Sequence, residues 1–274
     1  MKILFVIFQI LWFINFHSFG QSTTSFYLQP HFGWELPFAT FENKNTLPSF
    51  IKGAPVDVTV RLGLSLLVDF NRKFSMEFGY DIGSISAGSI KYGIQTDSAA
   101  NESGGKRQGS TEMRRFTFKI HKPVANMKIA RSGKKTGKYS NQKFYWAIFD
   151  LNLMAGITSD NIVPTNWNSS LGINTGSFTG SRDIVSLEST SVTVLNDTGY
   201  SLQLGFNLQF YNYGKRRLQL GFMYHQGINR RLKSTWSSSI NGTPFPDFDM
   251  YSRGSMLAMY AAYPLLLFEI NKNK

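Results

Sequence analysis

Val56-Asp57-Val58-Thr59-Val60-Arg61-Leu62-Gly63-Leu64-Ser65-Leu66-Leu67-Val68-Asp69-Phe70 is the stretch whose reading decides the fold. Its even positions are all apolar, and its odd positions are polar, charged or small except Leu67. A helix would scatter these side chains around its circumference, whereas a strand sorts them onto two faces. The same period returns in Phe74–Ile82 (Phe74, Met76, Phe78, Tyr80, Ile82), in Tyr200–Phe210 and in Leu218–Tyr224. Shorter or weaker versions run through Phe26–Trp34, Phe116–Ile120 and Phe149–Ile157. A last segment, Ser255–Phe268, is apolar on both faces near its end and leaves its register open. Eight strands are therefore predicted.

The connections between these segments sort by length. Asn71-Arg72-Lys73 and Asn212-Tyr213-Gly214-Lys215 are tight turns, with a medium turn over Ser132–Gln142. The other joins are long: Glu35–Pro55, Thr96–Thr111, Ser159–Asn196 and Leu232–Asp249. Short turns at one end and long loops at the other are the arrangement of a transmembrane β-barrel with periplasmic turns and extracellular loops. Aromatic residues fall where such a barrel needs an interfacial ring. Phe70, Phe74, Phe210, Tyr211, Tyr213, Phe144, Tyr145, Trp146, Phe26 and Phe268 gather at the short-turn end, and Trp34, Tyr80, Tyr200 and Tyr251 towards the other. A soluble lipocalin-like barrel is the rival, with its apolar face turned inward around a ligand. Alternation alone does not say which face points in; the long apolar faces with aromatic ends and the sorted loops favour lipid.

The N-terminus gives the compartment. Lys2 precedes an apolar run from Ile3 to Phe16, and Ser18-Phe19-Gly20 offers small residues for cleavage, so residues 1–20 read as a secretory signal peptide and residues 21–274 as the barrel domain. The apolar run is shorter than the roughly 20 residues a spanning helix requires. The chain has no cysteine, which excludes a disulfide scaffold and a lipid-modified N-terminal cysteine. With 24 Phe and 12 Tyr among many Ser, Asn, Gly and Gln, the composition suits a sheet with one face in lipid and one in a polar lumen.

This layout resembles the small outer-membrane β-barrel proteins of the OmpA and OmpX type, and the Phe-, Asn- and Lys-rich, Ala-poor composition looks like their Bacteroidota members. The resemblance implies an integral protein of the Gram-negative outer membrane. Such barrels often close on a terminal aromatic residue, whereas this chain ends Phe268-Glu269-Ile270-Asn271-Lys272-Asn273-Lys274.

Eight strands leave a lumen that side chains fill. The inward positions include Asp57, Arg61, Glu77, Asp81, Arg115, Lys119, Asp150 and His225, of mixed sign, so they are expected to pair into a polar plug. A narrow gated conduit, porin-like in kind, is the alternative. Small barrels of this architecture also include enzymes that deacylate lipids, transfer acyl chains or cut peptides. His225 with Ser201 or Asp81 is the constellation here that such an activity would use, but no nucleophile motif accompanies it. No catalytic residue, cofactor or metal site is assigned.

The net charge of +12 is local: ten of the 29 Lys and Arg lie between Glu112 and Asp150, a span without an acidic residue. Lys128, Arg131, Lys134, Lys135 and Lys138 form a basic periplasmic turn that either touches lipid phosphates or docks an acidic periplasmic partner. Export argues against nucleic acid as a target. The longest loop, Ser159–Asn196, carries Trp167 and Phe178 as contact residues for recognition. The functional expectation is a structural or interaction barrel working through its long loops, surrounded by outer-membrane lipids and lipopolysaccharide. The alternatives are an accessory subunit of an outer-membrane secretion, assembly or uptake complex, a lipid-modifying enzyme or a small channel.

Overall fold

The computed structural model describes residues 23–42, 47–48, 51–53, 58–86, 89–95, 101–107, 110–130, 145–163, 185–212 and 215–271. The expected signal peptide, Asp57, the turn residues 131–144 and the loop contacts Trp167 and Phe178 lie outside them. The alternation centred on Arg61 becomes β3 (Thr59–Phe70), in which Thr59, Arg61, Ser65, Leu67 and Asp69 are buried and Val60, Leu62, Leu64 and Leu66 are exposed. Asn71-Arg72-Lys73 then turns the chain tightly into β4 (Phe74–Ser86). Asn71 and Arg72 both take positive φ, the primed-turn geometry whose twist matches that of a hairpin. Lys73 N donates to Phe70 O at 3.0 Å, and Arg72 N to the Asp69 carboxylate at 3.2 Å. The Arg72 guanidinium lies 4.3 Å from the centre of the Tyr211 ring, which holds the turn against the barrel mouth.

Six further long strands complete a meander: β1 (Thr23–Phe41), β7 (Ser110–Ala130), β8 (Tyr145–Ile162), β10 (Thr198–Asn212), β11 (Lys215–Gly227) and β13 (Thr243–Ala262). They pair antiparallel in the order β1-β3-β4-β7-β8-β10-β11-β13, and β13 pairs back onto β1, so the sheet closes with eight strands. The register fixes its shape. From Glu35 the pairing runs through Ala258, Met223, Gly205, Met154, His121, Ser75 and Asp69 to Ser25, ten residues below its start on β1. Eight strands with this stagger tilt about 43° from the barrel axis. Every residue on that path faces inward, because an even shift preserves the face.

The closing seam contains three prolines, Pro30 and Pro37 on β1 and Pro264 opposite them. β13 ends at Ala262, and the chain resumes as β14 (Leu265–Asn271), which continues down β1 to pair Asn271 with Thr23. Pro264 has no N–H to give the ladder. Tyr263 N instead reaches Pro30 O at 3.1 Å. The segment of open register is thus one strand broken at Tyr263-Pro264.

Outside, the wall is apolar. Phe116 is 65% exposed and Leu204 63%, while inside Arg115 is 0% and Lys119 1% exposed. From Val58 to Phe70 the outward face spans about 29 Å along the axis at this tilt. The short-turn end carries stacked or tilted ring pairs Phe26–Phe268, Phe70–Phe74 and Phe149–Phe210. Tyr211, expected in that outer ring, points inward instead. It continues the inward alternation of Asn207 and Gln209, while an extra residue on the facing β11, Arg217, shifts the ladder between Phe210 and Tyr211 so that Arg216 enters the lumen and Arg217 does not.

Where they are described, the long connections are largely built of strands. The segment expected as a Leu232–Asp249 loop is β12 (Leu232–Ile240), turning at Asn241-Gly242, both with positive φ, into the upper half of β13. β9 (Val185–Val194), from the longest expected loop, pairs along β12. A separate three-stranded sheet holds β2 (Ile51–Gly53), β5 (Ser89–Gln95) and β6 (Asn101–Arg107). Ile90, Trp236, Phe248 and Met250 form an apolar core over the barrel mouth, and Ile85, Met113, Ile162, Leu232 and Met256 a second one. These elements form a cap rather than free loops.

Candidate functional site

The lumen collects the side chains that the sequence placed inward. Nearest the cap, Glu35 receives both terminal nitrogens of Arg115, the second at 2.6 Å. Asp160 stands 3.9 Å from Arg115 Nε and 3.6 Å from Arg231 NH1. Arg231 also donates to the carbonyls of Asn196 and Asp197, at 2.9 and 2.6 Å, tying the β9–β10 turn to the barrel. Next, Asp81 is gripped by Arg61 and by His31 Nε2. Glu77 then pairs with Lys119 and lies 2.9 Å from His121 Nε2. At the short-turn end Arg216 donates to Asp69 at 3.1 Å and to Ser75 at 2.9 Å, while Asn126 holds Asp150.

Glycines and one tyrosine make room for this stack. A Cβ on Gly83 would stand 2.8 Å from Arg115 NH2, and one on Gly221 only 2.2 Å from the Tyr260 ring. Tyr260 lies across the lumen with Arg61 and Lys119 at 6.0 and 5.3 Å from its ring centre. Its hydroxyl accepts from Gln219 at 2.9 Å and approaches the Met154 sulfur at 3.1 Å. Among the described residues six carboxylates (Glu35, Asp69, Glu77, Asp81, Asp150, Asp160) face five cations (Arg61, Arg115, Lys119, Arg216, Arg231) in the buried interior.

Of the residues predicted for the lumen, Arg61, Glu77, Asp81, Arg115, Lys119, Asp150 and His225 are all buried inside. Asp57 lies outside the described residues. His225 meets Gln203 Nε2 through Nδ1 at 3.3 Å, not the expected Ser201 or Asp81. Glu35 and Asp160 fall within expected loops and Arg231 within no predicted strand, yet all three belong to the network. The signal for Glu35 was present: Trp34, Leu36 and Phe38 continue the outward period past it. Among the described residues no three His, Cys, Asp or Glu side chains gather as metal ligands. Lys128 lies within β7, while Arg131, Lys134, Lys135 and Lys138 fall outside the described residues.

No protein-family profile matches the chain, and no curated protein does. Among solved structures, the outer membrane protein AlkL, determined by solid-state NMR in DMPC lipid bilayers, aligns over 90% of this chain and 91% of its own at 13% identity, with a TM-score of 0.31. The fold assignment rests on the strand register and not on that likeness.

Proposed function

We propose that the protein is an integral outer-membrane β-barrel whose lumen is a sealed ion-pair core and whose work is structural and interactive, through the capped end. One observation carries the reading: burial is inverted. Charged side chains occupy the interior at near-zero exposure, and the outward face is a continuous apolar belt. In water that belt would be costly and the interior would have been filled with hydrocarbon. In a bilayer both faces are satisfied, and closure leaves no backbone edge in hydrocarbon along the closed part of the sheet. A soluble lipocalin-like barrel has the opposite polarity.

The filled lumen argues against a channel, and the full burial of His225 among the described residues argues against its meeting a substrate. Lipids and lipopolysaccharide are then the immediate surroundings, and the cap is the surface offered to protein partners. Membrane fractionation with heat-modifiable gel migration tests the reading. The expected result is a band that shifts only on boiling, from protein extracted by detergent; recovery as a soluble periplasmic protein would overturn it.

A further inference from the structure

The outer wall is not uniformly smooth. Outward residues of β7, β8 and β10 lie in rows across the strands: Arg114–Asn161–Thr198, then Phe116–Ser159–Tyr200, then Phe118–Ile157–Leu202. In the second row the short Ser159 sits between two large rings. The result is a groove of about 680 Å³ running down β8, within the size range of ligand sites. Its near wall is stiffened by the paired rings Tyr80–Phe116 and Phe78–Phe118, at 5.0 and 4.9 Å. Leu202, Tyr200 and Ile228 line the other side.

Chemistry changes along this groove. Its outward rows around Ile157 are apolar, its upper end adds the hydroxyls of Ser159 and Tyr200, and the next row of the wall, just beyond the groove, is polar with one cation. Arg114 is half exposed and donates from Nε to Glu112 at 2.7 Å, which fixes the guanidinium on that row. Among the described residues its terminal nitrogens have no partner, so the fork remains available to a doubly bonding oxyanion. A molecule matching this order has an oxyanion, then a hydrogen-bonding linker, then a chain. We infer that the groove along β8 binds one lipid with a phosphate-bearing anionic headgroup, its phosphate on Arg114 and an acyl chain over Ile157. The inference rests on the membrane reading above. Protein partners match the groove less well, since a transmembrane strand brings no anion to the Arg114 row.

Native mass spectrometry of the detergent-solubilised full chain tests it, with phosphatidylglycerol and the phosphate-free diacylglycerol of identical chains added in equal amounts. The wild type retains phosphatidylglycerol about five- to tenfold over diacylglycerol, the worth of a charge-assisted hydrogen bond. Arg114→Gln brings the ratio to near parity. Ser159→Trp, which fills the groove, lowers retention of both lipids. Arg253→Gln, an exposed cation on β13 away from the groove, leaves the ratio unchanged. Parity in the wild type, a preference that survives Arg114→Gln, or cross-linking of another protein chain to Ser159→Cys would each overturn the assignment. Heat-modifiable migration is recorded for every variant. A barrel that inserts but shows parity sinks the lipid site alone, and one that never inserts sinks the membrane reading.

Discussion

Arg115 and Glu35 illustrate what a single residue carries in this interior. Their pair is fully buried, so the charges were taken out of water at a cost that only mutual contact offsets. Removing one partner leaves the other unpaired, which costs about 3–5 kcal/mol. Arg115→Met should therefore lower the urea midpoint of barrel unfolding strongly, read from tryptophan fluorescence in micelles. The double change Glu35→Leu with Arg115→Met should recover most of that loss, and a double variant no better than the single would refute the pairing. Gly221→Ala tests the packing instead. Its Cβ would meet the Tyr260 ring at 2.2 Å and force the ring from Gln219, Lys119 and Arg61, an overpacking cost of about 1–3 kcal/mol. An unchanged midpoint would show that Tyr260 moves freely. Alternation sorted the residues onto two faces, and seven of the eight on the polar one lie buried together, with Asp57 outside the described residues. Which residues meet was not legible. Asp81 is opposite Gly63 and Arg115 in the ladder, yet it binds Arg61 and His31, because strand tilt offsets side chains that are level in register.

At the scale of the strand, legibility followed the strength of the period. β3, β4, β10 and the upper part of β11 carry strict alternation and lie where the sequence put them. β12 was lost because Ser237-Ser238-Ser239 has no apolar face to count, although Trp236 is fully buried. The slip that exchanges Arg216 for Arg217 is a one-residue bulge, and nothing in local composition marks it. The β12–β13 hairpin also carries a pH-dependent clasp outside the barrel wall. Lys233 Nζ lies 2.8 Å from Asp249, and Thr235 donates to the same carboxylate at 2.7 Å. Partial burial pushes the Asp249 pKa up, but the hydrogen bonds from Lys233 and Thr235 outweigh it and hold the group below its usual value; the same bond raises Lys233. A lowered carboxylate pKa stabilises above the unfolded value and loses that contribution as pH falls through the folded one. The raised ammonium contributes below its unfolded value and loses it as pH climbs through the folded one. Hydrogen-exchange protection of the hairpin, corrected for intrinsic rates, should thus be flat through neutral pH and fall modestly below about pH 4. Asp249→Asn should abolish the acid limb, and an acid limb that persists in it would assign the effect elsewhere.

On the scale of the whole barrel, eight strands with a ten-residue stagger enclose a space that Arg61, Arg115, Tyr260, Lys119 and Arg216 cross at successive levels. On the proposed reading two seals act in series: the apolar cluster around Trp236 and Phe248, and the ion-pair layers beneath it. They make separable predictions in a planar bilayer. The intact protein should give no stable conductance steps. Replacing residues 233–249 by a short Gly-Ser linker removes the upper seal alone, and the bilayer should stay silent because Arg115 on Glu35 and Arg61 on Asp81 still span the lumen. Arg61→Ala with Arg115→Ala in that capless background removes side chains from two adjacent levels and frees two carboxylates, so small cation-selective steps should appear. Steps in the intact protein would mean that the ion pairs open in the membrane. Silence in the triple variant, with heat-modifiable migration preserved, would place the seal lower, at Arg216 and Asp69.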